Sequence, residues 1–202
     1  MIRRFSTALA TAGLIFATSA QSGTVFENQF GEWRVYNQAW LGVCPMEHIP
    51  TADRTVSYYR THCWAVAGTL LANEFNFPVY SFRIYRDRTD GSMEISFTHA
   101  PLEATDRLDQ SRPLVLRVDN DPAFTLDFAS DLETRHNTVN VYYPKNRETT
   151  DALISAMRAG ANLTATVPLL REGVATEDAA SIWLYGIRAS ERFMRAYANG
   201  HP

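Results

Sequence analysis

Tyr80-Ser81-Phe82-Arg83-Ile84-Tyr85-Arg86-Asp87-Arg88-Thr89-Asp90-Gly91-Ser92-Met93-Glu94-Ile95-Ser96-Phe97 is the stretch that decides the fold class. Phe82 and Ile84 alternate with Arg83 and Tyr85, and Met93, Ile95 and Phe97 alternate with Ser92, Glu94 and Ser96. A period of two puts one set of side chains on each face of a strand, so each run reads as a strand with one dry face. Between the runs, Asp90-Gly91 supplies the residue pair that most readily adopts the positive φ of a tight hairpin. Two antiparallel strands joined by a short turn follow.

The same alternation recurs outward from this hairpin. Trp33 and Val35 alternate with Arg34 and Tyr36. Leu114, Leu116 and Val118 share a face, as do Val139, Val141 and Tyr143, and Leu163, Ala165 and Val167. Asn120-Asp121-Pro122 marks a second reversal, between residues 114–119 and 123–128. Short one-sided strands with polar turns describe an all-β fold, an antiparallel β-sandwich, with a closed barrel as the alternative. Two segments break the pattern. Residues 150–159 read as a short helix carrying Leu153, Ile154 and Met157, capped by Thr149 or Thr150 and ended by Gly160. Residues 181–185 read as a strand leading to a last helix over 188–198, with Phe193, Met194 and Tyr197 at helical spacing. Residues 44–62 and 99–113 read as irregular. No linker divides the chain, so 21–202 is expected to be a single domain.

Composition narrows the function classes. The chain has 202 residues, 46% hydrophobic and 20% charged, with 19 Lys+Arg against 22 Asp+Glu and a net charge of -3. This is ordinary globular composition, unlike that of a disordered or collagen-like chain. The mild acidity argues against a nucleic-acid partner, which calls for a basic excess.

The first twenty residues read as an address. Met1-Ile2-Arg3-Arg4 is a positive start, residues 5–17 carry no charge, and Thr18-Ser19-Ala20 supplies small residues before Gln21. That is the anatomy of a secretory signal peptide cleaved after residue 20. The uncharged run of about 13 residues is short of the roughly 20 that span a bilayer, and no later segment is apolar for long enough. Removal of residues 1–20 leaves 182 residues and a net charge of -5. The mature protein is expected in the periplasm or outside the cell, with no transmembrane segment.

Cys44 and Cys63 are the only cysteines. Export places them where disulfides persist, and one intrachain bridge closing 19 residues is the simple reading. The alternative is a thiol activated by His62, but neighbours on a strand point to opposite faces. The five histidines are scattered, with no metal-like spacing.

No catalytic constellation stands out. Gly-x-Ser-x-Gly, His-Glu-x-x-His, a phosphate-cradling glycine loop and a dinucleotide fingerprint are all absent from the sequence. Residues 86–91 lack the acid at position 1 and the Glu at position 12 of a calcium loop. Asp119 with Asp121, Asp106 with Asp109 and Glu177 with Asp178 lie in turn-like sequence, where Asp bonds its own backbone. No catalytic, cofactor or metal residues are assigned, and a non-enzymatic role is expected. Aromatics are more suggestive. Tyr36, Tyr85 and Tyr142 alternate away from the apolar faces, which makes them the candidates for an exposed aromatic binding surface.

Four motifs, in order, carry a family resemblance: Phe30-Gly31-Glu32-Trp33-Arg34-Val35; Cys63-Trp64-Ala65-Val66; the helix 151–158 with Ala159-Gly160 leading into Leu163-Thr164-Ala165-Thr166-Val167; and Ala180-Ser181-Ile182-Trp183-Leu184-Tyr185-Gly186-Ile187-Arg188-Ala189-Ser190. Over residues 26–198 the chain resembles the invasion-associated locus B family of exported bacterial proteins. Asn37 stands where family members usually carry a cysteine, and the 44–63 segment is longer. The resemblance implies an immunoglobulin-like sandwich in the periplasm or outer envelope, and it carries over no catalytic residue. The expected function is that of a non-enzymatic envelope or surface protein that binds another envelope or surface protein, in host interaction or in the envelope itself. A sandwich that binds carbohydrate or a small ligand is the alternative.

Overall fold

The computed structural model describes residues 23–47, 58–135, 138 and 140–199. The signal peptide expected over residues 1–20 lies outside the described residues, as does Val139. In chain order the strands are β1 (Phe26–Glu27), β2 (Glu32–Asn37), β3 (Trp40–Pro45), β4 (His62–Gly68), β5 (Tyr80–Asp87), β6 (Met93–His99), β7 (Arg107–Leu108), β8 (Leu114–Val118), β9 (Phe124–Leu126), β10 (Leu132–Glu133), β11 (Val141–Pro144), β12 (Asn162–Arg171) and β13 (Val174–Trp183). One-turn α1 (Tyr58–Thr61) precedes β4, α2 (Arg147–Ala159) precedes β12, and α3 (Ile187–Tyr197) is the last element among the described residues.

The strands form two antiparallel sheets. The larger runs β1-β2-β3-β4-β5-β6-β11-β10, and the smaller runs β13-β12-β8-β9 with β7 also on β12. The β5–β6 hairpin is the one the alternation predicts. Gly91 takes φ +73, and Asp87 accepts the amides of Thr89 and Asp90 on one carboxylate oxygen at 2.6 and 3.2 Å. Phe82, Ile84, Ile95 and Phe97 face Leu114, Leu116, Val118, Leu163, Ala165 and Val167 of the smaller sheet in one buried cluster. This is a sandwich of two open sheets rather than a closed barrel.

The smaller sheet does not cover the whole face of the larger one. α3 packs on β2, β3 and β4 instead. Gly42 allows its close approach: a Cβ there would lie 2.9 Å from the Phe193 ring. The chain reaches α3 through Gly186, at φ +99, where a Cβ would lie 1.8 Å from the Asn37 carbonyl oxygen. Only glycine fits that turn.

The structure differs from the sequence reading most at α2, β13 and β11, and it also places α1 and β7 in stretches read as irregular. α2 starts at Arg147, because Asn146 caps it by accepting the Glu148 amide at 2.8 Å. β13 starts at Val174 rather than 181, set by a two-residue turn with both Glu172 and Gly173 at positive φ. Its first half reads Val-Ala-Thr-Glu-Asp, too weakly apolar to show a dry face. β11 has the opposite phase: Tyr142, paired with Phe97, faces the core, and Tyr143 faces out. Three consecutive apolar residues, Val141-Tyr142-Tyr143, left the phase ambiguous.

Cys44 and Cys63 are joined in a disulfide with Cα atoms 4.3 Å apart. They lie on neighbouring strands one step beyond the Val43–Trp64 pair, the spacing of directly opposed residues. Both are fully buried against α3. Closing a 19-residue loop stabilises the fold by about 3 kcal/mol on the chain-entropy account. Cys63→Ser is therefore expected to lower the unfolding free energy by at least about 3 kcal/mol, since it also buries a hydroxyl. Urea titration of variant and wild type checks this. Thiol alkylation of the unreduced wild-type chain is expected to add no mass.

Candidate binding surface

The three tyrosines singled out from the sequence do not come together. Tyr36 is 59% exposed, its ring stacked on Phe26 at 6.0 Å. Tyr85 does face away from the core, yet it is only 1% exposed. That outer face is itself covered. The Arg83 guanidinium lies 4.7 Å over Trp64 and 5.9 Å over Tyr85, Arg135 lies 4.9 Å over Tyr143, and the Tyr143 hydroxyl donates to that of Tyr85 at 3.3 Å. Tyr142 is 5% exposed in the core, edge-on to Phe128 at 5.0 Å, with its hydroxyl accepting from Gln110. The expected surface of Tyr36, Tyr85 and Tyr142 is corrected to Tyr36 alone.

The exposed apolar residues gather elsewhere. Between β4 and β5, residues 69–79 form a small tongue that satisfies its own backbone. Asn73 donates its amide to the Phe77 carbonyl at 2.9 Å, Val79 donates to Leu71 at 2.9 Å, and the Asn73 side chain accepts the amides of Phe75 and Phe77. Asn76 takes the positive φ the turn requires. The tongue holds Leu70, Leu71, Phe75 and Phe77 out in solvent. Trp183, 65% exposed, and Tyr185, 56% exposed, stand at the end of β13. They are anchored by main chain: the Trp40 indole donates to the Trp183 carbonyl at 3.1 Å, and the Ala39 amide to that of Tyr185 at 3.4 Å.

Leu70, Trp183 and Tyr185 join Gln38, Ala39, Gly68 and Ser181 around an open cleft of about 660 Å³. That is the size of a pocket for a small ligand or a few side chains. No lining residue carries a charge at neutral pH. Sequence reasoning missed this site because it looked for alternation. The readable signal was Leu70-Leu71 and Phe75-Asn76-Phe77 set among the turn residues Asn73, Asn76 and Pro78, where large apolar side chains have no strand face to hide on.

A polar cluster ties the base of the tongue to the smaller sheet. The Tyr80 hydroxyl donates to Asp178 at 2.7 Å, and Arg171 donates to the same oxygen at 2.7 Å. Arg171 also pairs with Asp106 at 3.6 Å. His99 stacks on Tyr80 at 5.4 Å and is buried, with no hydrogen-bond partner at Nδ1 among the described residues. Burial pushes the His99 pKa down to about 4, against the pull of Asp106 and Asp178. Burial and the bond to Asp178 push the Tyr80 hydroxyl well above its ordinary value. Of the carboxylates paired in the sequence, Asp119 serves the backbone, accepting the amides of Ala161 and Asn162, whereas Asp109 accepts from the Ser111 hydroxyl and the Arg112 guanidinium, which also pairs with Glu177. Among the described residues no three His, Cys, Asp or Glu side chains gather as metal ligands.

These features define an all-β sandwich with an uncharged apolar cleft beside the end of one edge strand. The crystal structure of invasion associated protein B from Bartonella henselae is similar to it, with a TM-score of 0.47 and 16% identity, covering 78% of this chain and 92% of that chain. No family model and no curated protein matches the sequence.

His99 makes stability depend on pH. Its folded pKa lies below that of the unfolded chain, so the unfolded state takes the proton first as pH falls. The contribution is complete above pH 6.5 and is lost as pH falls toward about 4, to the extent of about 3 kcal/mol. Denaturant titrations at pH 7 and pH 4 are expected to show His99→Gln losing less stability than wild type by that amount.

Proposed function

We propose that this chain is an exported, non-enzymatic cell-envelope protein that binds another protein through the cleft and its tongue. The observation that carries the reading is the exposure of Leu70, Trp183 and Tyr185 around one cleft, with Leu71, Phe75 and Phe77 exposed on the tongue that carries Leu70. Exposed apolar side chains gathered around a cleft on a folded domain mark an interaction site, and aromatic residues are enriched in such sites. The tongue supports the reading because its backbone bonds are local, so its apolar side chains serve no core. The leader-like start and the buried disulfide support export.

A photo-crosslinking residue in place of Leu70 or Tyr185, introduced in the intact cell, is expected to yield one discrete protein adduct that Trp183→Ala abolishes. The same residue in place of the exposed Arg117, on the outer face of the smaller sheet, is expected to yield none. Adducts that are equal from all three positions, or absent, overturn the reading. Carbohydrate is the second reading, favoured by the Trp183 and Tyr185 rings beside Gln38 and Ser181. Saturable quenching of tryptophan emission by a glycan, lost in Trp183→Ala, would replace the first reading with the second.

A further inference from the structure

The hydrogen-bond phase of the β12–β13 ladder determines which backbone groups of β13 face outward. Leu184 donates its amide to Ala161 at 2.9 Å, and the register continues through Leu163–Ile182 and Ala165–Ala180. Residues that exchange bonds alternate along an antiparallel ladder. Ile182, Ala180 and Asp178 therefore turn their main chain toward β12, and Trp183, Ser181, Ala179 and Glu177 turn theirs away. β13 is the last strand of its sheet, so that side is an edge. Two outward carbonyls at its end are taken, Trp183 by the Trp40 indole and Tyr185 by the Ala39 amide. The outward amides and carbonyls of Glu177, Ala179 and Ser181 bond to nothing among the described residues.

The other sheet edges are blunted by brevity. β1 and β10 have two residues and β9 has three, whereas β13 has ten. A long edge with unpaired main chain is a template for another strand, and natural proteins ordinarily shorten or cover it. Ser181 and Trp183 belong both to this edge and to the lining of the cleft, which Gly68 and Leu70 help complete.

We propose that the free edge of β13 and the cleft are one site, which takes an extended segment of a partner protein as an added strand. This rests on the protein-binding reading above and specifies its mode. Main-chain bonds to Glu177, Ala179 and Ser181 supply the pairing. The cleft selects side chains at alternate positions of the segment, as strand addition does. The lining carries no charge, so the segment that matches it is uncharged, with aliphatic or aromatic residues at those alternate positions.

The probe is an end-capped, fluorescein-labelled heptapeptide that alternates threonine with valine or leucine, with two further versions N-methylated on one or the other set of alternate amides. Added-strand pairing uses one edge of the peptide. Fluorescence anisotropy is therefore expected to show saturable binding that one methylated set weakens at least about tenfold and the other leaves within about twofold. Amide exchange at Glu177, Ala179 and Ser181 is expected to slow on binding, while that at Asp178 and Ala180, already bonded, is unchanged. Ala179→Pro removes an amide the fold does not use, a position where an edge strand tolerates proline, and is expected to weaken binding about tenfold. Trp183→Ala, which leaves the main chain intact, is expected to weaken it as well.

Equal binding by both methylated peptides overturns strand addition while leaving the protein-binding reading to its crosslinks. Absence of saturable binding up to about 1 mM also overturns it, because main-chain pairing does not depend on one sequence. Concentration-dependent self-association that Ala179→Pro abolishes overturns it in favour of a second copy of this chain on the same edge.

Discussion

The unequal width of the two sheets governs the rest of the molecule. Eight strands face five. Because β7 and β8 both pair with the same side of β12, the smaller sheet is four strands wide, and at about 4.8 Å per strand the larger one is wider by about 19 Å, nearly two helix diameters. Its dry face must be covered to that extent by something other than the smaller sheet: α3 covers it over β2–β4, and α2 lies against β6 and β11. Several residues make sense only in this light. Gly42 has no side chain because Phe193 lies on it, and Gly186 is needed where the chain leaves the smaller sheet and passes Asn37. The disulfide sits beneath the helix, with Cys44 against the Met194 carbonyl. The abrupt exit at Leu184–Gly186 also explains why Trp183 and Tyr185 end up outside. They belong to the last residues before the chain crosses to the other half of the face, where no second layer reaches them.

The end of α3 is held by a buried cation. Arg88, 4% exposed, donates from Nε to the Ala198 carbonyl at 2.6 Å and from Nη1 to the Glu47 carbonyl at 2.8 Å. A positive charge at a helix C-terminus is favourable, and carbonyl partners offset part of the cost of burying it. Burial still pushes its pKa below the usual arginine value. This contact joins α3 to the end of β3 next to the disulfide, so the helix is fixed to the larger sheet by packing along its length and by main-chain acceptors at its end.

Much of the fold was legible because one-sided strands announce themselves. Phe82, Ile84, Ile95, Leu114, Leu116, Leu163 and Val167 all lie on the face their alternation assigns. The failures share a cause. Alternation gives the phase of a strand and not what lies over it. Tyr85 therefore has the right direction and the wrong exposure, because arginines and aromatics cover the outer face. Where three large residues run together, as in Val141-Tyr142-Tyr143, even the phase is lost. β13 was half hidden because its first residues are small or acidic, and an edge strand with one face in water needs little apolar patterning. The tongue was invisible to a search for periodicity, since its apolar residues obey the geometry of a turn rather than of a strand.

The residues that hold the fold together and those that line the cleft thus occupy different parts of the chain. The core, the Cys44–Cys63 bridge, Arg88 and Tyr80 involve side chains that are withdrawn from water, and the Tyr80 hydroxyl is tied to Asp178 and Arg171. The cleft side chains Leu70, Trp183 and Tyr185 are exposed, and the contacts that position them run through backbone atoms. Trp40 and Ala39 bond to the carbonyls of residues 183 and 185 whatever side chains those residues carry. The tongue likewise depends on Asn73 and on its own amides rather than on Phe75 or Phe77. Replacement of the exposed rings therefore removes apolar surface without opening a cavity, and exposed substitutions of that kind change stability by only about 0.5 kcal/mol. Such a surface is free to vary in side-chain chemistry while the main chain that presents it stays fixed.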